Sequence, residues 1–498
     1  MEEKIYPRLE SFIELAADYD HIPVCREIVA DLDTPLTLYH KLAVEEEFSF
    51  LLESIEGGER WGRYSFIGYR PALTFCQRHN EVVIKCGEQL EIIKTRDPLP
   101  ELARIIEKMR PAPVPGLPDF YGGAVGFFSF ETVKAFENIP HTVADDVDGA
   151  DAWFMVPGIL LVHDNLRHSL SLLCLVEVGK SRSDIKKLAA IYHDALAELD
   201  EVVRRIRQPL NWVAPSEIAE PLTFSSNMSQ AEYQEMVSKA VDYVKAGDLI
   251  QVVLAQRFKC LQPLDPTAIY RALRLINPSP YMFHFNFSGE RLIGSSPELL
   301  VRKDGSRVAV RPIAGTRPRG ADAEADQQLA EELLADPKEV AEHVMLVDLG
   351  RNDIGRVAQY GQVQVEELMK IERYSHVMHI VSHVEGELRA DLDMFDTFRA
   401  CYPAGTVSGA PKVRALEIID ELEPTRRGPY AGAVGYFGFS GDMDFAITIR
   451  TVTVKDGISY FQAGAGIVAD SKPEMEYQET INKASAMRRA LELAAKGW

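Results

Sequence analysis

YGGAVGFFSF (residues 121–130) and YAGAVGYFGF (residues 430–439) agree at seven of ten positions, although most of the chain lies between them. Each stretch mixes aromatics with glycines in an extended pattern. Glycine weakens a strand interior, so its presence there points to a close backbone approach, read here as one between packed sheets. The repeat predicts two similar halves, each with sheet and helices. The regular strand–helix alternation of a doubly wound fold is absent. The fold class expected is α+β, with mainly antiparallel sheets.

The surrounding chain fits that reading. Its 498 residues allow several domains. The Pro-rich stretch RQPLNWVAPSEIAEPLTFSSN (207–227) marks a boundary, giving expected units 1–215 and 222–498. Before it, SDIKKLAAIYHDALAELDEVVRRI has amphipathic helical spacing. After it, Ser229 and Glu232 form a capping box that opens a helix ending at Gly247. IQVVLAQRF (250–258) reads as a strand, as does FAITIRT (445–451). A net charge of −21 repels nucleic acid. The opening lacks an apolar signal stretch, and the run from Trp153 to Val162 is broken by Pro157-Gly158 and too short for a bilayer. Cys25, Cys76, Cys86, Cys174, Cys260 and Cys401 form no CxxC pair. The expectation is a reduced, soluble, cytoplasmic protein without nucleic-acid or membrane partners.

Two helices carry acid pairs. In DPKEVAEHVMLVDLGRND (336–353), Asp336 caps, Pro337 takes the first turn and Glu339 completes the box, so that Glu339 and Glu342 share a face. In SKPEMEYQETINKASAM (471–487), Ser471 caps with Glu474, and Glu476, Glu479 and Lys483 share a face. Like charges at this spacing need a cation. Two readings stand on the residues alone: solvated surface faces, or oxygen ligands for a hard divalent ion.

YSHVMHIVSHVEGE (374–387) holds His376, His379 and His383. The β-branched alternation predicts a strand, and the zinc-helix pattern with its general base is missing. His379 is either a packed core histidine or a general acid/base. AGTVSGAPKVRALEIID (404–420) is a Gly-rich turn with Pro411 opening a helix, whose free N–H groups suit a carboxylate. QAGAGIVAD (462–470) gives a flexible glycine edge. Arg450 in an apolar strand needs an anion, either a structural carboxylate or a ligand. PIAGTRPRG (312–320) looks built for an anion through Arg317 and Arg319, yet centres on the inert methyl of Ala314.

Taken together, GDLIQVVLAQRF, SSPELLVR, PIAGTRPRG, DPKEVAEHVMLVDLGRND, RYSHVMHIVS, GTVSGAPKVRA, RRGPYAGAVGYFG, ITIRT and QAGAGIVADSKPEMEYQET resemble, in order, the chorismate-utilising enzymes. The first part of the chain is similar to the accessory region of anthranilate synthase large subunits. The resemblance implies two packed β-sheets (a β-sandwich) flanked by helices. It also implies how the inert methyl arises. Related aminodeoxychorismate synthases carry a nucleophilic lysine where this sequence has Ala314, and isochorismate and salicylate synthases carry a lysine base where it has Gln251. With both absent, ammonia remains as nucleophile.

The implied activity is that of an anthranilate synthase large subunit: chorismate and ammonia give anthranilate and pyruvate. Aminodeoxyisochorismate synthase without pyruvate elimination, or aminodeoxychorismate synthase component I, stay as alternatives. Implied roles follow. Magnesium is bound by Glu342 and Glu479, with Glu339 and Glu476 through water. Glu298 protonates the departing hydroxyl and His379 serves the elimination, with Gln251, Ala314 and Thr316 around the reacting centre. Thr406, Tyr430, Arg450, Gly464, Ala465, Gly466 and Lys483 contact substrate. A tryptophan feedback site is implied at Leu52, Glu53 and Ser54 with Asn277, Pro278, Ser279, Pro280, Tyr281 and Met282. Ammonia would come from a glutamine amidotransferase subunit, in a hetero-tetramer.

Overall fold

The computed structural model describes residues 4–55, 62–117, 119–140, 143–374 and 377–497; His376 lies outside them. The two glycine–aromatic repeats become the strands Gly123–Phe128 and Ala433–Gly438. They are hydrogen-bonded neighbours, antiparallel, with Gly126 opposite Gly435. The reason for glycine differs from the sequence expectation. A Cβ at Gly126 would lie 1.8 Å from the backbone oxygen of Trp153, and one at Gly435 2.0 Å from that of Asp444. The close approach is therefore to the adjacent strand in the same sheet, not to a facing one.

Two layers emerge from the ladders, every one of them antiparallel. One layer runs Lys4–Tyr6, His21–Val29, Ser169–Glu177, Ala152–Asp164, Tyr64–Arg78, Phe48–Glu53, Tyr281–Phe287, Glu290–Ser296, Thr451–Lys455, Ile458–Ile467, Gln251–Cys260, Phe224–Ser226. The other runs Gln89–Lys94, Glu81–Cys86, Tyr64–Arg78, Ala152–Asp164, Gly123–Phe128, Ala433–Gly438, Met443–Ile447, Leu299–Asp304, Arg307–Val310, Val377–Glu387. Val377–Glu387 then meets Ile313–Pro318 and Gln364–Arg373. Tyr64–Arg78 and Ala152–Asp164 belong to both layers. They turn the corner where the register slips between Pro71 and Leu73, with Arg70 at φ +48 and Gly158 against the Arg70 oxygen.

Strand alternation fills three large cores and a small one around Leu333, Met378 and Ile380. Phe50, Val125, Phe127, Met155, Phe283, Phe285, Phe287 and Val434 point between the layers. Each such buried side chain contributes about 2 kcal/mol. The outer face of the first layer packs on helices Leu9–Leu15, Pro35–Leu42, Ile185–Ile206, Pro266–Ile276 and Pro473–Ala494. That of the second packs on Leu99–Met109, Pro337–Gly355 and Met394–Cys401, while Gln230–Ala246 and Lys412–Leu422 pack on Gln251–Cys260 of the first. This is the α+β pair of packed antiparallel sheets flanked by helices. The first 215 residues are woven into it: Phe48–Glu53 pairs with Tyr281–Phe287, and Gly123–Phe128 with Ala433–Gly438.

Several local expectations hold and some shift. The Ser229–Glu232 capping box forms, and Gly247 ends that helix at φ +87. Asp336 caps Pro337–Gly355 through the Lys338 and Glu339 N–H groups, but Glu339 turns its carboxylate to Arg317 instead of closing a box. Lys472, not Ser471, is the N-cap of Pro473–Ala494; the Ser471 hydroxyl accepts from Val468 N–H. FAITIRT is not one strand: Met443–Ile447 and Thr451–Lys455 flank Arg450, whose φ of +53 marks a left-handed turn. Among the described residues no helix is long and apolar enough to cross a membrane.

Candidate active site and a neighbouring cavity

A cavity of about 420 Å³ opens where the ends of four strands face two acidic helices. Strand Ile313–Pro318 supplies Ala314, Gly315 and Thr316, and Val377–Glu387 supplies His379. Gln251 and Val253 come from Gln251–Cys260, and Gly464 and Gly466 from Ile458–Ile467. Glu298, Thr406, Tyr430 and Arg450 complete that side. Two helices add the rest of the charge: Lys338 and Glu342 from one, and Glu476, Glu479 and Lys483 from the other.

The Ala314-Gly315-Thr316 turn is a bulge. Ala314 pairs with Ile380 and Thr316 with His379, leaving Gly315 out of register at φ +69. A Cβ there would meet Leu333 and Glu339 side-chain atoms at 3.0 and 3.1 Å, so the left-handed backbone and the tight contacts both favour glycine. The freed Gly315 carbonyl accepts from His379 Nδ1 at 2.9 Å, and Thr316 Oγ1 lies 3.1 Å from the same nitrogen. A carbonyl can only accept, so Nδ1 carries the proton and Nε2 keeps its lone pair. Burial lowers the His379 pKa, which keeps the ring neutral and basic near pH 7. The two arginines that follow do not wait for a ligand. Arg317 pairs with Asp336, Glu332 and Glu339, and Arg319 with Asp326.

Glu298 is fully buried, and desolvation pushes its pKa up to about 7 despite Thr406, Arg450 and Lys483 nearby. It is therefore an acid that keeps a large share of its proton up to about neutral pH. Arg450 lies half-buried near it, with Tyr430 and Glu298 as its electrostatic neighbours, and desolvation lowers its pKa. Among the described residues no carboxylate lies within 4.0 Å of the Arg450 guanidinium. Thr406 Oγ1 is buried near the Glu298 carboxyl, without a hydrogen bond of ordinary geometry. The glycine edge is set by close approach: a Cβ at Gly464 would lie 3.1 Å from the Tyr430 hydroxyl, and one at Gly466 2.6 Å from Gln251 Nε2.

On the acidic wall, burial first and then the charges of Glu339 and Glu479 raise the Glu342 pKa. Burial likewise raises Glu476, with Glu479 adding to it. Lys483 answers part of this charge, 2.7 Å from Glu479, and donates to the Gly464 carbonyl. Four predicted features stand apart. Glu339 faces Arg317 and does not line the cavity. Ala465 points to the opposite face of its strand, into the core between Gly464 and Gly466. The start of helix Lys412–Leu422 is not an open anion site, because Lys412 is bound to Asp353; the 3-10 turn Gly405–Val407 lines the cavity instead. His383 pairs with Glu385 and shares nothing with His379. Lys338, one turn before Glu342, is a lining residue the sequence reading passed over; its place in DPKEVAEH was the available signal.

A second, larger cavity of about 1000 Å³ adjoins the first. Leu52, Glu53, Ser54, Pro280, Tyr281 and Met282 line it, so the two distant stretches LLES and NPSPYMF do meet; Glu53 is the cross-strand partner of Met282. Asn277, Pro278 and Ser279 do not line it: they face the smaller cavity, and Pro280 borders both. Glu53 is buried, which raises its pKa, and is held by Arg274 and the Tyr270 hydroxyl. Tyr64, Tyr436, Arg302 and Asp444 complete the walls, from positions too scattered for sequence spacing to unite.

A family model described as chorismate binding enzyme matches residues 49–489. Anthranilate synthase component 1 from Acetivibrio thermocellus is 46% identical over 499 residues, covering 99% of both chains. The crystal structure of anthranilate synthase component I from Streptococcus pneumoniae superposes with a TM-score of 0.75 at 36% identity, covering 92% of this chain and 98% of that one. The menaquinone-specific isochorismate synthase from Escherichia coli shares the fold, with a TM-score of 0.70 at 21% identity over 97% of this chain and 98% of that one. The match to the family runs from the strand that carries Glu53 to the helix that carries Glu479, and by it this chain belongs to the chorismate-binding enzymes.

Proposed function

We propose that the chain converts chorismate and ammonia to anthranilate and pyruvate, the first committed step toward tryptophan. The observation that carries this reading is the polarity of the cavity. The half-buried Arg450 guanidinium has no carboxylate within 4.0 Å among the described residues, and the cavity it lines also holds the carboxylates of Glu342, Glu476 and Glu479. A dicarboxylate whose one end meets Arg450 and whose other end meets a cation on the acidic wall satisfies both. The lysine-free positions Ala314 and Gln251 favour ammonia over a lysine nucleophile or an activated water. Lys338 and Lys483 do line the cavity, but from the acidic wall.

The chain's own groups supply the proton transfers. As ammonia forms its bond to the ring, the allylic C–O bond breaks, and Glu298 gives its proton to the departing hydroxyl, which leaves as water. Loss of the ring proton from the aminated carbon, with cleavage of the enol-ether C–O bond, then aromatises the ring and frees pyruvate. His379 Nε2 has the lone pair for that proton. Tyr430, Thr406 and the Gly464–Gly466 edge hold the enolpyruvyl carboxylate with Arg450.

The donor set suits magnesium in kind, since it offers oxygen ligands only and the Glu479 charge reaches both Glu342 and Glu476; the three carboxylates do not converge within 4.8 Å of one another. Glu342 and Glu479 would bind it directly and Glu476 through water. A cation held there would neutralise a substrate carboxylate and supply Lewis-acid polarisation of the ring. Ammonia would be supplied by a glutamine amidotransferase subunit, consistent with the component 1 names of the relatives, in a cytoplasmic hetero-tetramer. Tryptophan would occupy the larger cavity, its amine at Glu53, and oppose substrate binding through the Asn277–Pro280 wall.

The test is product analysis with chorismate, magnesium and ammonium at high pH. Fluorescent anthranilate and pyruvate in equal amounts are expected. A non-aromatic amino product without pyruvate would replace this reading with the synthase that stops before elimination.

A further inference from the structure

Arg427 lies outside every role assigned so far, yet it is the largest fully buried side chain among the described residues. Its guanidinium sits behind the cavity, where its donors are spent on three separate elements. Nε and Nη2 form a two-pronged bond to Glu423, at 2.9 and 2.6 Å. Nη1 donates to the Val407 carbonyl at 2.7 Å, and Nη2 to the Val253 carbonyl at 2.7 Å. Val407 ends the turn that presents Thr406, and Val253 is on the strand that presents Gln251; both also line the cavity. The guanidinium further lies 5.8 Å from the Tyr430 ring centre and 4.4 Å from that of Phe130.

The backbone of Arg427 is fixed as firmly. Its N–H and that of Gly428 donate to the two oxygens of Glu131, at 2.8 and 3.1 Å. Its carbonyl accepts from Gln462, on the strand that carries Gly464 and Gly466. Glu423 in turn accepts from the Ala255 N–H. A planar fork suits this task in a way a flexible ammonium does not, because its donors point in fixed, divergent directions.

We propose that Arg427 is the positioning residue of the carboxylate-binding half of the cavity, setting Thr406, Tyr430 and the Gly464–Gly466 edge at one mutual distance through its ties to Val407, Val253 and Gln462. The proposal rests on the chorismate reading of that cavity. A residue that fixes groups gripping a remote carboxylate governs binding of the substrate more than the rate of its bond changes.

The test compares Arg427→Lys and Glu423→Gln with wild type for chorismate KM and kcat, at saturating magnesium and ammonium, with thermal midpoints measured in parallel. Arg427→Lys is expected to raise KM at least tenfold while kcat falls less than threefold. Glu423→Gln keeps the shape and loosens the fork, and should move KM the same way by a smaller factor. Should Arg427→Lys not fold, Glu423→Gln decides alone. Unchanged KM in a folded variant, or a fall in kcat alone that tracks lost stability, overturns the proposal. Failure of wild type to bind chorismate would instead overturn the functional reading beneath it.

Discussion

Glu298→Gln separates the acid's chemistry from its packing. Burial holds the carboxyl's pKa at about 7 against an ordinary 4.5. That rise corresponds to about 3 kcal/mol against the charged form. Between these two values the unfolded chain gives up a proton that the folded chain keeps, so wild-type stability falls as pH rises through the window. By pH 8 the full cost of about 3 kcal/mol is present in wild type and absent in the glutamine variant. The variant should therefore be the more stable protein at pH 8 and nearly equal to wild type at pH 4.5. Activity should move oppositely. Loss of a general acid costs about 10²–10⁴ in rate, or about 3–5 kcal/mol of barrier. With free ammonia held constant, wild-type kcat/KM should decline above about pH 7, and the variant's residual rate should not show that limb. Thermal melts at the two pH values and a pH–rate profile measure all of this. A variant within tenfold of wild-type activity, or one with the same stability gain at both pH values, would refute the reasoning.

His379→Asn should let chorismate consumption continue while pyruvate release falls about a hundredfold, so that a non-aromatic amino compound accumulates; matched loss of both would clear His379 of the elimination. Glu479→Gln should raise the magnesium needed for half-maximal activity by about tenfold or more, read by magnesium titration; an unchanged curve would move the cation elsewhere. Ser54→Phe should weaken tryptophan inhibition without changing kcat, because Ser54 lines only the larger cavity; intact inhibition would relocate the effector. Gly435→Ala should destabilise by about 3 kcal/mol or more, since its Cβ would lie 2.0 Å from the Asp444 oxygen; a melt unchanged from wild type would contradict that packing.

Much of this molecule is written in short-range patterns. The Ser229 box, Gly247, Asp336-Pro337 and the alternation around His379 set elements that form where their spacing says. What spacing could not show is partner choice. Arg317 looks like an anion hook in isolation, but its anions are Asp336 and Glu339, brought back by the next helix. Glu339 shares a face with Glu342 and is drawn off by the same arginine. Arg450 looked like a strand residue because its neighbours are apolar; its left-handed φ is fixed by the chain's turn between two sheet strands. The cavity around Glu53 is built from residues on many strands, which no local period connects.

The seams between early and late strands carry a consequence for how the chain can be handled. The stretch from 207 to 227 joins the two parts covalently, but the fabric joins them twice more, along Phe48–Glu53 and along Gly123–Phe128. A single cut in that tether would leave two polypeptides still stitched edge to edge. Either piece made alone would bare unpaired strand borders ready to take up foreign chains. Trimming the enzyme to a minimal catalytic core is thus the wrong operation, whereas nicking it is a tolerable one.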